Sequence, residues 1–220
     1  MIENSIYRIK NTHPNLIRFC GLKQNNPFAP VFDVPIWIDQ IDINLIDDIL
    51  KLIKSKEHLY DDWTQYNLFL WKENEIFFLK KNIANVYVKF MEVLNLPVMN
   101  DLWINSWVFP QKKNMNLKLH THATHENSYL SGNIPLTKNN TTTDYEIPYI
   151  SVLGGSYECK NKPGKITLFP SYLPHSVKRL DDDERYSIGF DLITNDGMQC
   201  FLNNNNNSND PLHRAIRLFK

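Results

Sequence analysis

Three histidines in the second half of the chain have the spacing of metal ligands. His120 and His122 lie two residues apart in a predicted strand over 117–122. Side chains at positions i and i+2 of a strand point to the same face, so both imidazoles can reach one ion. His175 is the candidate third ligand, because it opens a predicted strand after a tight turn. Imidazole suits iron, zinc, copper and nickel, so the histidines alone do not name the metal.

A second polar pair, Arg185 and Ser187, begins ten residues after His175. The stretch 185–192 alternates strictly between apolar and polar or small residues. If the apolar residues pack outward on helices, Arg185 and Ser187 point into a barrel beside the metal. A guanidinium and a hydroxyl at this spacing suit the far end of a dicarboxylate. The alternative is a surface Arg185 paired with Asp182 or Glu184.

The elements that must position these residues are mostly short strands. From about residue 101, apolar runs are separated by turn residues, which predicts strands at 103–109, 117–122, 129–136, 147–153, 156–159, 165–169, 174–178 and 185–193. About eight short strands with regular turns indicate a sandwich or a barrel. The fold class is therefore mainly β, with flanking helices.

The first hundred residues are expected to form an extension with two helices. Apolar residues at helical spacing predict a helix over 43–56, capped by Asp42, and another over 73–95 that ends before Pro97. We expect the second helix to pack on the outer face of the larger sheet, with Ile83 and Phe90 buried. The short runs Val31-Phe32 and Ile36-Trp37 could be edge strands.

The predicted organisation is a single structural domain with three parts. They are the extension (1–100), the barrel core (101–195) and a C-terminal tail (196–220). Five consecutive asparagines, at 203–207, predict a flexible loop in that tail.

Charge and composition exclude several partners. Lys+Arg and Asp+Glu number 24 each and the pI is about 7.0, so no net field directs the chain to nucleic acid or to an anionic membrane. We find neither a signal peptide nor an apolar run of roughly 18 residues that could span a bilayer. Three scattered cysteines suit a reducing cytoplasm. Oligomeric state is not indicated.

The candidate residues form part of a longer pattern, W-x12-H-x-H, S-G, F-P-S-x-x-x-H and R-x-S. It comprises Trp107, His120, His122, Ser131-Gly132, Phe169-Pro170-Ser171, His175, Arg185 and Ser187. The pattern covers about 103–193 and resembles the 2OG-Fe(II) oxygenases of marine bacteria and their phages. The stretch 32–36 is similar to that family's opening segment. The resemblance implies a double-stranded β-helix, a jelly-roll or cupin-like barrel.

In that family His120, His122 and His175 would hold Fe(II). Arg185 and Ser187 would bind the distal carboxylate of 2-oxoglutarate, and O2 would be the second cosubstrate. Such oxygenases usually have a carboxylate where His122 stands. An alignment anchored on Ser131 instead of Trp107 makes His125 the ligand.

The same histidines also resemble the cupin pattern, in which Glu126 could be a fourth ligand. Three functions therefore stay open. The first is an Fe(II)- and 2-oxoglutarate-dependent oxygenase, a hydroxylase of unknown substrate. The second is a cupin-like dioxygenase or isomerase that does not use 2-oxoglutarate, and the third is a non-enzymatic binding barrel. The pair Arg185 and Ser187 favours the first.

Overall fold

Two antiparallel sheets pack face to face in the computed structural model, which describes residues 7–9, 12–21, 26–28, 31–56, 67–122, 128–147, 156–178, 184–205, 207 and 209–219. The strands within these ranges are β1 (Tyr7–Ile9), β2 (Leu16–Gly21), β3 (Asp33–Gln40), β4 (Trp103–Lys112), β5 (Leu117–His120), β6 (Ser128–Pro135), β7 (Thr142–Tyr145), β8 (Tyr157–Lys160), β9 (Lys165–Pro170), β10 (His175–Val177), β11 (Glu184–Ile193) and β12 (Ile216–Arg217). The helices there are α1 (Ile43–Ser55), α2 (Asn74–Leu94) and α3 (Asn195–Asn204).

The sheet topology is that of a double-stranded β-helix. The large sheet has the order β1-β2-β3-β9-β6-β11-β4-β12, and the small sheet has the order β5-β10-β7-β8. Strands β4 to β11 alternate between the two sheets except at β7 and β8, which pair as neighbours in the small sheet. These eight strands span the part of the chain in which a barrel was predicted. The predicted fold class is confirmed.

The two N-terminal helices begin and end close to their predicted bounds. Asp42 caps α1, since its Oδ1 accepts from the backbone N–H of Asn44 at 2.8 Å. Asn95 ends α2 in the left-handed conformation with φ 56°. No helix among the described residues is long and apolar enough to cross a membrane.

Both helices pack on the outer face of the large sheet, as expected. Ile83 and Phe90 of α2 are fully buried in a cluster that includes Ile188 and Phe190 of β11. The alternation in β11 is thereby confirmed: its apolar side chains face the helices. Its polar and small residues face the other way, into the space between the sheets.

Strands from outside 101–195 extend the large sheet. Strand β3 lies between β2 and β9, with Trp37 opposite Leu168. The prediction of edge strands around Ile36-Trp37 was therefore wrong, because tertiary pairing gives β3 a neighbour on each side. The division of the chain at residues 100 and 195 stays a prediction.

Most of the strand expected at 147–153 falls on residues 148–155, outside the described part of the chain, and Ile147 itself is not in a strand. The preceding strand, β7, consists mostly of polar residues and was not predicted. The prediction for the tail needs correction. The tail is not simply a flexible loop. Asn203 and Asn204 end α3, and β12 pairs with β4.

Candidate metal centre and its cavity

The three predicted histidines converge at one end of the space between the sheets. His120 ends β5 and lies opposite His175, the first residue of β10, in the antiparallel register. His122 follows two residues later, and its backbone N–H donates to the Ser171 carbonyl oxygen at 3.0 Å. Nitrogen atoms of the three imidazoles all lie within 4.8 Å of one another. One small cation can therefore contact all three.

Each imidazole is oriented through its Nδ1. This atom lies 2.8 Å from the Lys118 carbonyl oxygen in His120 and 3.0 Å from the Leu173 carbonyl oxygen in His175. A carbonyl oxygen can only accept, so Nδ1 carries the proton and Nε2 keeps its lone pair. Nε2 of His120 lies 3.2 Å from Nε2 of His122. Two lone pairs facing each other at this distance favour a shared cation.

Burial keeps two of the ligand candidates neutral. It lowers the pKa of His175 to about 3 and also lowers the pKa of His120. The pKa of His122 is raised: burial acts to lower it, but the charge of Asp191 and the hydrogen bond to it outweigh that effect. A metal ion binds neutral imidazole, so the environment of His120 and His175 suits coordination.

Asp191 is a site residue that the sequence analysis did not assign. Its Oδ1 accepts from Nδ1 of His122 at 2.7 Å and from the hydroxyl of Ser131 at 2.6 Å. The Ser131 hydroxyl lies 2.9 Å from that of Ser171. The alternation in β11 had already put Asp191 on the same face as Arg185, and that signal could have identified it. Because Asp191 contacts the far side of the imidazole, it acts on the centre through His122.

Arg185 and Ser187 line the same cavity of about 480 Å³ as the three histidines. Arg185 is only 1% exposed, and its Nη1 donates to Oε1 of Gln111 at 2.9 Å. Its Nε has no hydrogen-bond partner, and no described acid pairs with the guanidinium. Burial lowers the pKa of Arg185 to about 10. Among the described residues, this buried cation has no carboxylate partner.

Glu184 does not form the surface ion pair with Arg185 that the sequence analysis gave as an alternative. That carboxylate accepts from the Tyr186 hydroxyl at 2.8 Å and pairs with Lys54 at 3.5 Å. Asp182 lies outside the described residues, as do the further ligand candidates His125 and Glu126.

Two glycines of the barrel are required by close packing near the histidines. A Cβ on Gly189 would lie 2.7 Å from the Trp107 ring, which itself packs 5.5 Å from the His122 ring. A Cβ on Gly132 would lie 2.2 Å from Phe190. Trp107 therefore packs against His122 directly, whereas Gly132 allows close packing of Phe190 on the helix side of the sheet.

No family model matches the chain, and no curated protein is similar to it in sequence. Solved structures do match its fold. A Pseudomonas putida prolyl-4-hydroxylase superposes with a TM-score of 0.56 at 10% identity, over 72% of this chain and 87% of that one. The non-heme alpha-ketoglutarate-dependent carbocyclase SnoK of nogalamycin biosynthesis gives 0.57 at 10% identity, over 72% and 79%. The non-heme monooxygenase ThoJ, in complex with nickel, gives 0.52 at 12% identity, over 71% of each chain.

At these identities the likeness establishes the fold, which is the double-stranded β-helix of the 2OG-Fe(II) oxygenases. The three histidines meet on this scaffold. Nothing in the comparisons supports a marine or phage origin.

Proposed function

We propose that this protein is an Fe(II)- and 2-oxoglutarate-dependent oxygenase that hydroxylates a small organic substrate. The observation that carries the proposal is a single cavity containing three convergent imidazoles and a buried guanidinium that no described carboxylate contacts. The histidines suit a divalent metal, and Arg185 suits the distal carboxylate of a 2-oxo diacid. The fold shared with alpha-ketoglutarate-dependent enzymes adds support.

The donor set fits a divalent transition metal. His120, His122 and His175 would hold the metal through Nε2, since the Nδ1 atoms carry the protons. Bound Fe(II) would supply the oxidation, in which one oxygen atom of O2 is inserted into a substrate C–H bond and the other enters the succinate formed as 2-oxoglutarate loses CO2. O2 and 2-oxoglutarate are thus the proposed cosubstrates. A reducing cytoplasm suits this chemistry and the three free cysteines.

The residues of the chain have distinct roles in this proposal. His120, His122 and His175 hold the metal, and Asp191 keeps His122 in the correct tautomer. Arg185 and Ser187 anchor the cosubstrate, and its carboxylate provides the charge that the buried guanidinium lacks. Apolar walls limit the water that reaches the reacting atoms.

The second candidate is a cupin-like metal enzyme that does not use 2-oxoglutarate. The observation in its favour is the ligand set, which has three histidines where oxygenases of the first kind usually have two histidines and a carboxylate. The buried Arg185 argues for the first candidate, because a cupin reaction of this kind does not require a guanidinium in that place.

Binding of 2-oxoglutarate tests the proposal directly. Anaerobic addition of Fe(II) and 2-oxoglutarate should produce the weak visible charge-transfer band of the chelate, and calorimetry should give the affinity. Failure of wild-type protein to bind 2-oxoglutarate would exclude the oxygenase and leave the cupin-like enzyme or a binding barrel.

Arg185→Lys is the variant that discriminates between the two enzymes. Lysine keeps the charge but loses the bidentate fork, so 2-oxoglutarate affinity should fall at least about tenfold, or 1.4 kcal/mol. Metal content should not change. Arg18→Lys is a matched control, since Arg18 is a partly exposed arginine paired with Asp33. Equal affinities in wild type and Arg185→Lys would remove the main reason to prefer the oxygenase.

A further inference from the structure

The cavity has two arms along β11, one lined by Arg185 and the other, next to the histidines, by Asp191 and Asn105. Arg185 and Asp191 lie near opposite ends of β11, and Asp191 is the one beside His122. Asn105 lies opposite Asp191 in the register and also lines the cavity. If 2-oxoglutarate occupies the Arg185 side, the Asn105 side is free for another molecule.

The C-terminal segment forms the outer wall of this arm. Helix α3 starts two residues after β11 ends, and a 3-10 turn follows at Pro211–Arg214. Phe201, Asn205, Asp210, Pro211 and Leu212 of this segment line the cavity. The wall is held in place because Phe201 packs in a buried cluster with Ile193.

Asn105 is the polar group of the arm without a partner. The residue is 3% exposed, its Oδ1 has no hydrogen-bond partner, and none of the described residues accepts from its Nδ2. A buried amide in this state destabilises the protein unless a bound group satisfies it. Rotation of the amide about χ2 exchanges its oxygen and nitrogen, so it can satisfy either a donor or an acceptor.

The charges around the arm disfavour an anion. Among the described residues that line the cavity, Arg185 is the one lysine or arginine, and it belongs to the other arm. The carboxylates of Asp191 and Asp210 line the Asn105 side. With a divalent ion and 2-oxoglutarate bound as proposed, the ion and Arg185 bring three positive charges, whereas the two carboxylates of 2-oxoglutarate, Asp191 and Asp210 bring four negative ones. The cavity then keeps a net negative charge, which repels a further anion more strongly in a partly dry site than in water. The nearby walls include the aromatic rings of Trp107 and Phe201.

We infer that this arm binds the primary substrate, and that the substrate is an uncharged molecule with an apolar, ring-sized body and an amide or hydroxyl group that pairs with Asn105. The inference rests on the proposed function for the position of 2-oxoglutarate. Asn105 is then a specificity-determining residue. A carboxylate or phosphate in place of the amide is rejected by Asp191 and Asp210.

A matched pair of probes tests the substrate class. Indole-3-acetamide and indole-3-acetate have nearly the same shape and differ in charge. Zinc-loaded protein with saturating 2-oxoglutarate is titrated with each by calorimetry. We expect the amide to bind at least tenfold more tightly than the acid. Equal affinities, tighter binding of the acid, or no binding of either probe would overturn the inference.

Two variants assign the preference to Asn105. In Asn105→Leu the affinity for the amide should fall at least tenfold while that for the acid changes little. Asn85→Leu makes the same change on the exposed face of α2 and should leave both affinities unaltered. Asn105→Asp keeps the side-chain shape and is the variant to use if Asn105→Leu does not fold. Its added negative charge should lower the affinity for the acid further. An unchanged ratio of amide to acid affinity in Asn105→Asp would overturn the role of Asn105.

Failure of this inference is distinguishable from failure of the proposed function. Binding of 2-oxoglutarate to the same zinc-loaded preparation is measured first. If it does not bind, the oxygenase proposal fails, and titration without it still tests the Asn105 arm. If it binds and the probe preference is absent, the inference about the arm fails alone.

Discussion

In the proposed metal centre, the pair formed by His122 and Asp191 would offset the lack of a carboxylate ligand. A set of three histidines brings no negative charge to the metal, whereas a set with a carboxylate brings one. Asp191 would supply that charge indirectly, because its Oδ1 contacts Nδ1 of His122 at 2.7 Å and not the metal itself. Such carboxylate–histidine pairs fix the tautomer and raise the basicity of the ligand.

Substitution of Asp191 should lower the affinity for the metal without unfolding the protein. We expect Asp191→Asn to lower zinc affinity about 10–100-fold, the range typical of partners that orient a ligand. Competition with a chromophoric chelator measures this change. Asp196→Asn alters an exposed aspartate on α3 and should have no effect. Undiminished zinc affinity in Asp191→Asn would show that Asp191 does not support a metal ligand.

Substitution of two of the three proposed ligands should abolish metal binding. Purified wild-type protein is expected to carry about one equivalent of metal, and the double variant His120→Ala/His175→Ala should carry almost none, because a single remaining imidazole binds weakly. Elemental analysis by mass spectrometry measures the content, with His13→Ala/His213→Ala as the matched control. Equal metal content in wild type and the first variant would place the metal elsewhere.

At the scale of elements, β11 joins the stability of the fold to the chemistry of the cavity. Its apolar face packs on the helices, and its inner face carries Arg185, Ser187 and Asp191. Helix α2 supports the large sheet from outside, since Phe90 is buried in one cluster with Ile188 and Phe190 of β11 and lies 5.7 Å from the ring of Trp37 in β3. The helix therefore stabilises the face opposite the site.

This role of α2 predicts a large loss of stability when its buried stripe is shortened. Phe90→Ala should lower the free energy of unfolding by about 3–5 kcal/mol, through lost burial and the cavity left behind. Phe78→Ala removes the same atoms from the same helix where the side chain is 50% exposed, and it should cost less than about 1 kcal/mol. Urea denaturation measures both. Similar losses in the two variants would mean that α2 does not pack as described.

At the scale of the whole molecule, stability is coupled to the protonation of the buried His175. Burial lowers its pKa to about 3 in the folded state, whereas an unfolded imidazole titrates near 6.5. Between these two values the unfolded chain binds a proton that the folded chain does not. The contribution of His175 to stability is therefore fully present above pH 6.5. It is lost as the pH falls towards 3, by at most about 1.4 kcal/mol per unit.

This coupling predicts how metal-free protein responds to acid. Between pH 7.5 and pH 5, wild type should lose roughly 2 kcal/mol more stability than His175→Asn, because 1.5 of those units lie below 6.5. Urea denaturation at both pH values measures the difference. His213→Asn, at an exposed position, should behave like wild type. If His175→Asn has the same pH dependence as wild type, burial of His175 is not coupled to stability.

Several features of the fold and site are determined by local sequence. The helical stripe through Ile83 and Phe90 predicts α2 and its buried face, and strict alternation predicts that Arg185 lies on the inner face of β11. The spacing of His120 and His122 predicts that their imidazoles lie close together, and they do so although His122 follows the end of β5. These inferences succeed because backbone periodicity is a property of neighbouring residues, and burial of the apolar face follows from it.

Only the tertiary structure decided the remaining features. The partner of His122 is 69 residues away in the chain, and no local pattern indicates which strand supplies it. The interior place of β3 and the wall formed by α3 depend likewise on pairing and packing between distant segments. A strand carries two edges and two faces, but its sequence does not specify which other strand meets each edge. The pairing partners of each strand follow from the packing of the whole chain. The set of residues that line the cavity therefore depends on that packing as well.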